Sequence, residues 1–363
     1  MFDIKSIASL FDLRADYVYG APYGSGHIND TYRIEVDQAG LRVSYILQRI
    51  NSNVFKQPIP LMENVKRVTD EALRVLKEEG CKEAYRRTLT LIPALDGKAY
   101  AQDAEENVWR VYTFIDRART YDMIENPQQC VEVARAFGNF QKLGANLPGD
   151  PLFETIPDFH NTTKRFKAFQ NAVAADPLGR AASVQREIDW FLAREAECHL
   201  VVNYLADGRL PWRVTHNDTK LNNVMLDDVT GEGICVIDLD TTMPGSSLYD
   251  FGDMIRTSTS PAAEDEKDTS LVTMRMEYFE ALAKGYCEAA TFLTPLEKEL
   301  LPFSGKLLTM ECGMRFLTDY LEGDTYFKIH RPEHNLDRTR TQIALVESIE
   351  QQMDAMQQVV AKY

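Results

Sequence analysis

One short segment of the sequence carries four side chains at a spacing that could support chemistry. It reads HNDTKLNN, and its residues His216, Asp218, Lys220 and Asn223 form the pattern H-x-D-x-K-x-x-N. In phosphoryl-transfer enzymes this spacing supplies a carboxylate that accepts a hydroxyl proton and, further along the loop, an amide that binds magnesium. The segment therefore predicts a catalytic loop in which Asp218 is the base.

The same template uses a second aspartate, after the next strand, as a magnesium ligand. The runs NVML and ICVIDLD are short and apolar, and the turn residues DDVTGEG join them, which predicts a buried hairpin. If its turn is centred on the Thr-Gly pair, facing residues have numbers that sum to 461. Leu226 then faces Cys235, and Asn223 faces Asp238. We therefore expect Asn223 and Asp238 to bind magnesium.

Three more aspartates follow in IDLDTTMPGSSLYDFGD. Asp240 lies on the same strand face as Asp238, where it could reach a second magnesium ion or remain a solvated carboxylate. The letters DFG at Asp250 match the magnesium motif of protein kinases. The preceding serines can cap a helix, however, so we expect Asp250 and Asp253 in its first turns, with Asp250 accepting backbone N–H bonds from the catalytic loop. We expect His216 to hold the loop backbone rather than to react.

The elements that must position these residues change character once along the chain. Residues 17–50 alternate and are rich in Tyr, Val and Ile, which predicts β-strands. A helix is predicted from about Pro60 to Glu79, and RRTLTLIPAL, AYAQ and VWRVYTFI predict further strands. After these, apolar residues recur at spacings of three and four, as in helices. The expected division is a β-rich domain at residues 1–115 and a helical domain at residues 116–363.

A nucleotide site is expected in the β-rich part, and YGSGHINDTY is the candidate segment. Gly24, Ser25 and Gly26 could let the backbone approach phosphate groups closely, although a plain hairpin turn fits the same letters. The P-loop pattern G-x-x-x-x-G-K-[ST] does not occur in the sequence. The P-loop class of kinases is therefore excluded.

Composition limits the partners of this chain. Its 363 residues, 44% of them hydrophobic, are enough to bury a sizeable core in two domains or lobes. Acidic residues number 55 against 40 basic ones, which gives a formal net charge of -15. Such a balance argues against binding nucleic acid or an anionic membrane through bulk electrostatics. Neither nucleic acid nor a membrane is therefore an expected partner.

A cytoplasmic protein is predicted, because the sequence shows no recognisable targeting signal and no clustered cysteines. The first residues, MFDIKSIASLFDLRADY, have no apolar run long enough for a signal peptide, and no stretch is long enough to span a bilayer. The six cysteines lie far apart and form no C-x-x-C pair. Neither a zinc site nor a disulfide scaffold is therefore expected.

Several long and distinctive stretches carry a family resemblance that covers nearly the whole chain. They are YGSGHINDTY, WRVYTFI, RVTHNDTKLNN, IDLDTTMPGSSLYDFGD, LPFSGKLLTMECGMRFLTDYLEGDTYF, and PEHNL with RTRTQI. With these stretches the chain resembles the aminoglycoside phosphotransferase and choline kinase superfamily, and within it the bacterial N-acetylhexosamine 1-kinases. The resemblance implies an α+β, two-lobed protein-kinase-like fold, with a small β-rich N-lobe and a larger, mostly helical C-lobe.

The resemblance also implies an activity, which is transfer of phosphate from ATP, with Mg2+, to the anomeric hydroxyl of GlcNAc or GalNAc. It implies Asp218 as base and Asn223 and Asp238 as magnesium ligands, with Lys220 balancing charge on the moving phosphoryl group. The adenine is expected against a hinge at residues 114–117, which includes Phe114 and Asp116. The residues that match sugar-contacting positions are His27, Arg315 and Tyr326.

One feature departs from many kinases, which place Lys or Arg on the third strand to pair the α- and β-phosphates. The corresponding strand, SYILQRI, offers Gln48 and then Arg49. Neighbouring strand residues point to opposite faces, so only one of them can reach a nucleotide. The sequence does not decide between them.

Two alternatives stay open at this point. The spacing of Glu311, Arg315 and Asp319 fits sugar contacts but also an exposed, salt-bridged helix stripe.

A kinase for a cationic molecule such as choline, ethanolamine or an aminoglycoside would tolerate the negative charge, and its pocket should cluster acidic and aromatic side chains. A neutral sugar site should instead mix donors and acceptors. A non-catalytic kinase-like module would normally lack Asp218, Asn223 or Asp238, and all three are present.

Overall fold

The computed structural model describes residues 2–24, 26 and 28–363, and these residues form two compact units. The first unit takes the chain up to Arg119 together with Asn146–Ile156 and Met225–Met243. The second contains Thr120–Ala145, Pro157–Val224 and Pro244–Tyr363. The chain therefore returns twice to the first unit, whereas the predicted domains were contiguous.

A six-stranded antiparallel sheet forms the centre of the first unit, in the order β1-β2-β3-β6-β4 with β5 also paired to β6. Strands β2 and β3 pair in continuous register, and Asp30 of β2 lies opposite Arg49 of β3. On the other edge of β3, Gln48 lies opposite Arg110 of β6. The strands are β1 Asp16–Pro22, β2 Asp30–Gln38, β3 Leu41–Arg49, β4 Leu91–Ile92, β5 Ala101–Gln102 and β6 Val108–Thr113.

The sheet forms where the alternating sequence predicts it, because alternate residues on each strand face one core. Ile34, Leu47 and Trp109 lie fully buried in that core. Helix α1 (Ile4–Ala8) packs against it, and α2 (Pro58–Glu78) begins with proline at its first turn. The predicted helix at residues 60–79 and the three predicted strands within residues 17–50 are thereby confirmed.

The run RRTLTLIPAL is only partly a strand. Its first residues belong to a short helix, α3 (Ala84–Arg87), and only Leu91–Ile92 pair with the sheet. Arg86 explains the helix, because its guanidinium group donates to the carbonyl oxygens of Asp116 and Arg117 at 2.9–3.3 Å. These long-range bonds override the local strand pattern.

The hairpin that carries Asp238 is present, but its predicted register is wrong. Strands β9 (Val224–Asp227) and β10 (Gly233–Val236) pair, and β7 (Ala118–Arg119) adds to the other edge of β9. The backbone N–H of Asp227 donates to the Glu232 carbonyl oxygen at 2.9 Å. Residues that face each other in the hairpin therefore have numbers that sum to 459, whereas the sequence predicted 461. Leu226 therefore does not face Cys235, and Asp238 lies beyond the paired residues of the hairpin.

Helices make up most of the second unit. They are α4 Pro127–Gly144, α5 Thr162–Ala175, α6 Gln185–Leu192, α7 Glu195–Cys198, α8 Leu200–Ala206, α9 Ser247–Ser258, α10 Met276–Ala289, α11 Pro295–Glu322 and α12 His334–Val360. Strand β8 (Arg213–Thr215) pairs with β11 (Met243–Gly245) directly before the predicted catalytic loop. No helix in the described part of the chain is both long and apolar enough to cross a membrane.

Candidate active site

The predicted catalytic loop, in the second unit, is held by two aspartates of helix α9. Asp250 accepts the backbone N–H groups of His216 at 2.9 Å and Asn217 at 2.7 Å. Asp253 accepts the N–H of Thr219 at 2.9 Å. These bonds satisfy backbone donors that a buried loop cannot expose to water. The predicted supporting role of Asp250 is therefore confirmed.

The helix also explains why the letters DFG occur here. Phe251 is fully buried against Phe279 and Tyr286, and a Cβ on Gly252 would lie 2.3 Å from the Ser304 carbonyl oxygen of α11. The glycine is required because two helix backbones approach closely. Burial raises the pKa of the Asp250 carboxyl despite the N–H bonds from His216 and Asn217. The motif is thus a packing feature of α9.

His216 holds the loop, as predicted. Its ring is completely buried between Phe137 and Phe140, with centroid distances of 5.2 and 5.8 Å. Its Nδ1 accepts the Asp218 backbone N–H at 3.3 Å. Asn217 has a φ of 65°, a left-handed conformation that costs free energy and persists only when neighbours fix it.

Asp218, Lys220 and Asn223 lie together at the end of this loop. The Lys220 Nζ is 3.1 Å from Asp218 Oδ2. The Asn223 Nδ2 donates to the Asp218 carbonyl at 2.8 Å and to its Oδ2 at 3.2 Å. A short 3-10 turn, Leu221–Asn223, places the amide there. The spacing therefore brought the three residues together, with the Asp218 carboxylate partly exposed.

In the first unit, Asp238 and Asp240 differ sharply in environment. Asp238 is exposed and adopts a left-handed conformation with a φ of 59°. Asp240 is 1% exposed and forms an ion pair with Arg110, which is buried to the same extent. The other oxygen of Asp240 accepts from Asn29 Nδ2 at 2.6 Å. Each carboxylate oxygen of Asp240 thus accepts from a protein donor. Magnesium binding by Asp240 stays a prediction.

The two candidates on the third strand also have partners within the first unit. Gln48 Oε1 accepts from the Arg110 guanidinium at 2.6 and 2.9 Å, and its Nε2 donates to Thr31. Arg49 points to the opposite face and pairs with Asp30 at 2.5 Å. The buried cation on the Gln48 face is therefore Arg110 of β6, which sequence reasoning missed. A lone arginine in the apolar run VWRVYTFI was its signal.

The glycine segment and the predicted hinge occupy the same unit. Gly24 has a φ of 84°, and a Cβ there would meet open space, whereas Gly26 is exposed. Ser25 and His27 lie outside the described residues. Phe114 packs under the guanidinium of Arg33 at 4.7 Å. Asp116 is exposed, with its carbonyl held by Arg86 as described above.

Arg315 and Tyr326 are brought together by the turn that ends helix α11. Asp319 accepts the backbone N–H groups of Thr325, Tyr326 and Phe327 at 2.7–3.0 Å, which folds the chain back. The Arg315 guanidinium carbon lies 5.8 Å from the Tyr326 ring centroid, and the Phe327 and Phe159 rings lie at similar distances. Three aromatic rings therefore surround one cation of the protein.

The interpretation of Glu311, Arg315 and Asp319 as an exposed stripe is wrong. Glu311 and Asp319 are 2% and 3% exposed, and each has its own buried partners. Glu311 pairs with His160, 3.0 Å from the ring Nδ1. Sequence reasoning missed His160, since it lies 151 residues from Glu311 in a segment that predicts only a loop.

The side chains of Asn223 and Asp238 have the donor chemistry that magnesium requires. The ion binds oxygen ligands, commonly one or two carboxylates with substrate phosphates and water. The Asn223 Nδ2 is used by Asp218, so its Oδ1 is the atom able to bind a cation. Asp238 supplies an exposed carboxylate. Among described residues, no three His, Cys, Asp or Glu side chains are arranged to hold a metal.

Comparison with solved structures shows what the chain resembles as a fold. An aminoglycoside phosphotransferase from Alicyclobacillus acidocaldarius aligns with a TM-score of 0.62 at 13% identity, over 99% of this chain and 96% of that one. An ethanolamine kinase from Plasmodium vivax aligns at 0.53 and 14%, over 88% and 80%. A choline kinase from Cryptosporidium parvum aligns at 0.52 and 14%, over 99% and 98%. The predicted α+β, protein-kinase-like fold is confirmed.

A family model gives the assignment at the level of sequence. The model described as the phosphotransferase enzyme family, APH, matches residues 20–296. This match covers most of the chain and includes the loop with Asp218 and Asn223 as well as Asp238. The chain therefore belongs to the APH phosphotransferase enzyme family.

Proposed function

We propose that this phosphotransferase uses ATP and Mg2+ to phosphorylate the anomeric hydroxyl of an N-acetylhexosamine, GlcNAc or GalNAc. The observation that carries the choice of acceptor is the environment of Arg315, described above. In a site for a cationic substrate the aromatic rings would be open to the ligand. Here a guanidinium group of the protein already lies among them. That arrangement supports a neutral acceptor that accepts hydrogen bonds.

The catalytic loop would act on the acceptor through Asp218. Its carboxylate orients the sugar hydroxyl and accepts the proton, and an anomeric hydroxyl suits a carboxylate base because it is more acidic than an ordinary alcohol. Lys220 now lies 3.1 Å from Asp218 and would balance charge on the transferred group. Most of the acceleration would come from positioning.

Asn223 and Asp238 would hold Mg2+, and Asp240 stays a candidate for a second ion. The chemistry that Mg2+ would supply at these residues is neutralisation of negative charge on the phosphate groups. The Asn223 Nδ2 bond to Asp218 turns the amide so that its oxygen can face a cation. Asp238 is exposed, and its carboxylate would be the second oxygen donor.

ATP would be bound by residues of the first unit. Gly24, Ser25 and Gly26 would lie against the phosphates, and Phe114 and Asp116 against the adenine. The positive φ of Gly24 supports a close backbone approach. The Arg49 ion pair with Asp30 leaves Gln48, with Arg110 behind it, as the polar group of the opposite strand face.

The sugar would be contacted by His27, Arg315 and Tyr326. Tyr326 is 70% exposed, which leaves its ring and hydroxyl accessible, and Arg315 offers donors for an acetamido or hydroxyl oxygen. The second candidate function is a kinase for aminoglycosides, choline or ethanolamine. It is favoured by the fold similarity to proteins that carry those names.

An acceptor panel separates the two functions. We expect ADP release with ATP, Mg2+ and GlcNAc or GalNAc, and weak or no release with unacetylated hexoses, choline, ethanolamine and an aminoglycoside. Phosphorus NMR of the product should show a phosphoester coupled to the anomeric proton. Release with the cationic acceptors alone, or a phosphoester on another carbon, would overturn the proposed function.

A further inference from the structure

His160 is a buried histidine for which the family motif provides no role. It lies in the loop before helix α5, 9% exposed, with its ring 5.1 Å from that of Tyr249. Its Nδ1 faces the Glu311 carboxylate, at 3.0 Å from Oε1 and 3.3 Å from Oε2. Its Nε2 lies 3.1 Å from the carbonyl oxygen of Asn217. Both ring nitrogens therefore face acceptors.

This geometry selects the charged imidazolium form of His160. A backbone carbonyl only accepts, so Nε2 must carry a proton, and a carboxylate facing Nδ1 favours a second one. Among the described residues, the Glu311 and Asp253 carboxylates act electrostatically on the His160 ring, and Arg315 and Arg165 act on Glu311. Burial alone would lower the pKa of His160, but Glu311 and the Asn217 carbonyl raise it above its ordinary value.

The Asn217 carbonyl belongs to the peptide group that joins Asn217 to Asp218. The N–H of the same peptide group donates to His216 Nδ1. The preceding peptide group is fixed by Asp250, 2.7 Å from the Asn217 nitrogen. Because Asn217 is held in a left-handed conformation, the orientation of the peptide group that follows it depends on the bonds to His216, Asp250 and His160. His160 thus contacts the carbonyl side of the peptide group directly before Asp218.

Glu311 extends the connection to helix α11. It lies one helical turn before Arg315, so the same stretch of helix carries both side chains. Phe159, the neighbour of His160, packs against Arg315 at 5.5 Å. A chain of contacts therefore runs from Arg315 and its helix through Glu311 and His160 to the catalytic loop.

We propose that His160 is a positioning residue, whose imidazolium, held by Glu311, fixes the peptide before Asp218 and links the acceptor-binding helix to the base. The role in catalysis rests on the proposed function. The contribution of the clamp is fully present below the ordinary pKa of histidine and is lost as pH rises through the raised pKa, because only the imidazolium can donate to both acceptors.

Kinetics of His160→Gln test this role. The glutamine amide can still donate to a carbonyl but does not titrate, so kcat should fall by about 10- to 100-fold, with an unchanged KM for ATP. The alkaline fall in kcat of the wild type should be absent from the variant. Glu311→Gln should move that fall to lower pH. His199→Gln is the matched control, since His199 pairs with Thr163 and Glu195 away from the loop, and it should leave kcat and the pH profile unchanged.

Nitrogen-15 NMR of the histidine rings tests the clamp without substrates. In the unliganded wild type, both nitrogens of His160 should stay protonated through neutral pH, and the Asp218 amide signal should shift when the ring titrates. A neutral ring at pH 7, or a His160→Gln enzyme with wild-type kcat and pH profile, would overturn the proposal. Wild type without turnover on any acceptor would contradict the proposed function and leave the NMR result to decide on the clamp.

Discussion

The Asp218→Asn variant is expected to lose nearly all phosphoryl transfer, with kcat lower by roughly 10²- to 10⁴-fold. Asparagine keeps the size of the side chain, and its oxygen can still accept from Asn223 Nδ2 and lie near Lys220. It cannot accept the hydroxyl proton of the acceptor. Because the backbone of the loop is held by Asp250 and Asp253, the fold of the loop should remain. Nucleotide should therefore still bind.

The contrast with Asp250→Asn makes this expectation specific. Asp250 accepts two backbone N–H groups and the Gln141 amide, and an asparagine would turn a donor toward these donors. That variant should mainly lower Tm, by several degrees. Asp354→Asn, at an exposed site on α12, is the control and should change neither quantity. Steady-state kinetics with calorimetry decide the matter, and the reverse pattern would mean that the wrong aspartate was assigned as base.

The Arg110→Met variant should lose about 3–5 kcal/mol of unfolding free energy. Methionine approximates the length of the arginine stem, but the substitution leaves the Asp240 carboxylate buried without its cation. It also removes two bonds to Gln48 Oε1, so an acceptor on the third strand is left unsatisfied. A buried charge that loses its counter-charge is among the most costly changes in a protein core.

Arg49→Met is the matched control for this loss. Arg49 lies in the same sheet and also pairs with an aspartate, but Asp30 and Arg49 are 44% and 25% exposed. Water and salt screen such a pair, so its loss should cost less than about 1 kcal/mol. The double variant Arg110→Met with Asp240→Asn should lose less than the sum of the single changes. Urea unfolding followed by tryptophan fluorescence measures each value, and equal losses for Arg110→Met and Arg49→Met would contradict this interpretation.

Local patterns predicted the strands and helices whose sequences show a clear hydrophobic period or a start signal. Strands β2 and β3 bury alternate residues, and α2 begins at a proline, so both followed from periodicity and start signals. The register of the β9–β10 hairpin did not follow. The Asp227 carboxylate accepts the N–H groups of Val229 and Thr230 at 2.8 Å, and Gly231 takes a φ of 74°. This longer turn shifts the pairing by two residues and is not encoded in the apolar pattern.

The clustering of side chains in the predicted catalytic loop followed from the sequence for a similar reason. Asp218, Lys220 and Asn223 lie within one short segment, so their spacing alone brings them together. The buried ion pair of Arg110 and Asp240 joins distant segments, at a sequence separation of 130. No local pattern states which charged residues will meet inside a core, although a charge within an apolar run indicates that a partner must exist.

The register that suggested the magnesium site is wrong, so the pairing of Asn223 with Asp238 on one ion rests on the loop motif and on the chemistry of the two side chains. A crystal of the protein with Mn2+ and a non-hydrolysable ATP analogue, measured for the anomalous signal of manganese, tests it most directly. We predict an anomalous peak at about 2.1 Å from Asn223 Oδ1 and from a carboxylate oxygen of Asp238. A peak held by Asp250 or Asp253, with Asn223 and Asp238 both away from the ion, would contradict the account.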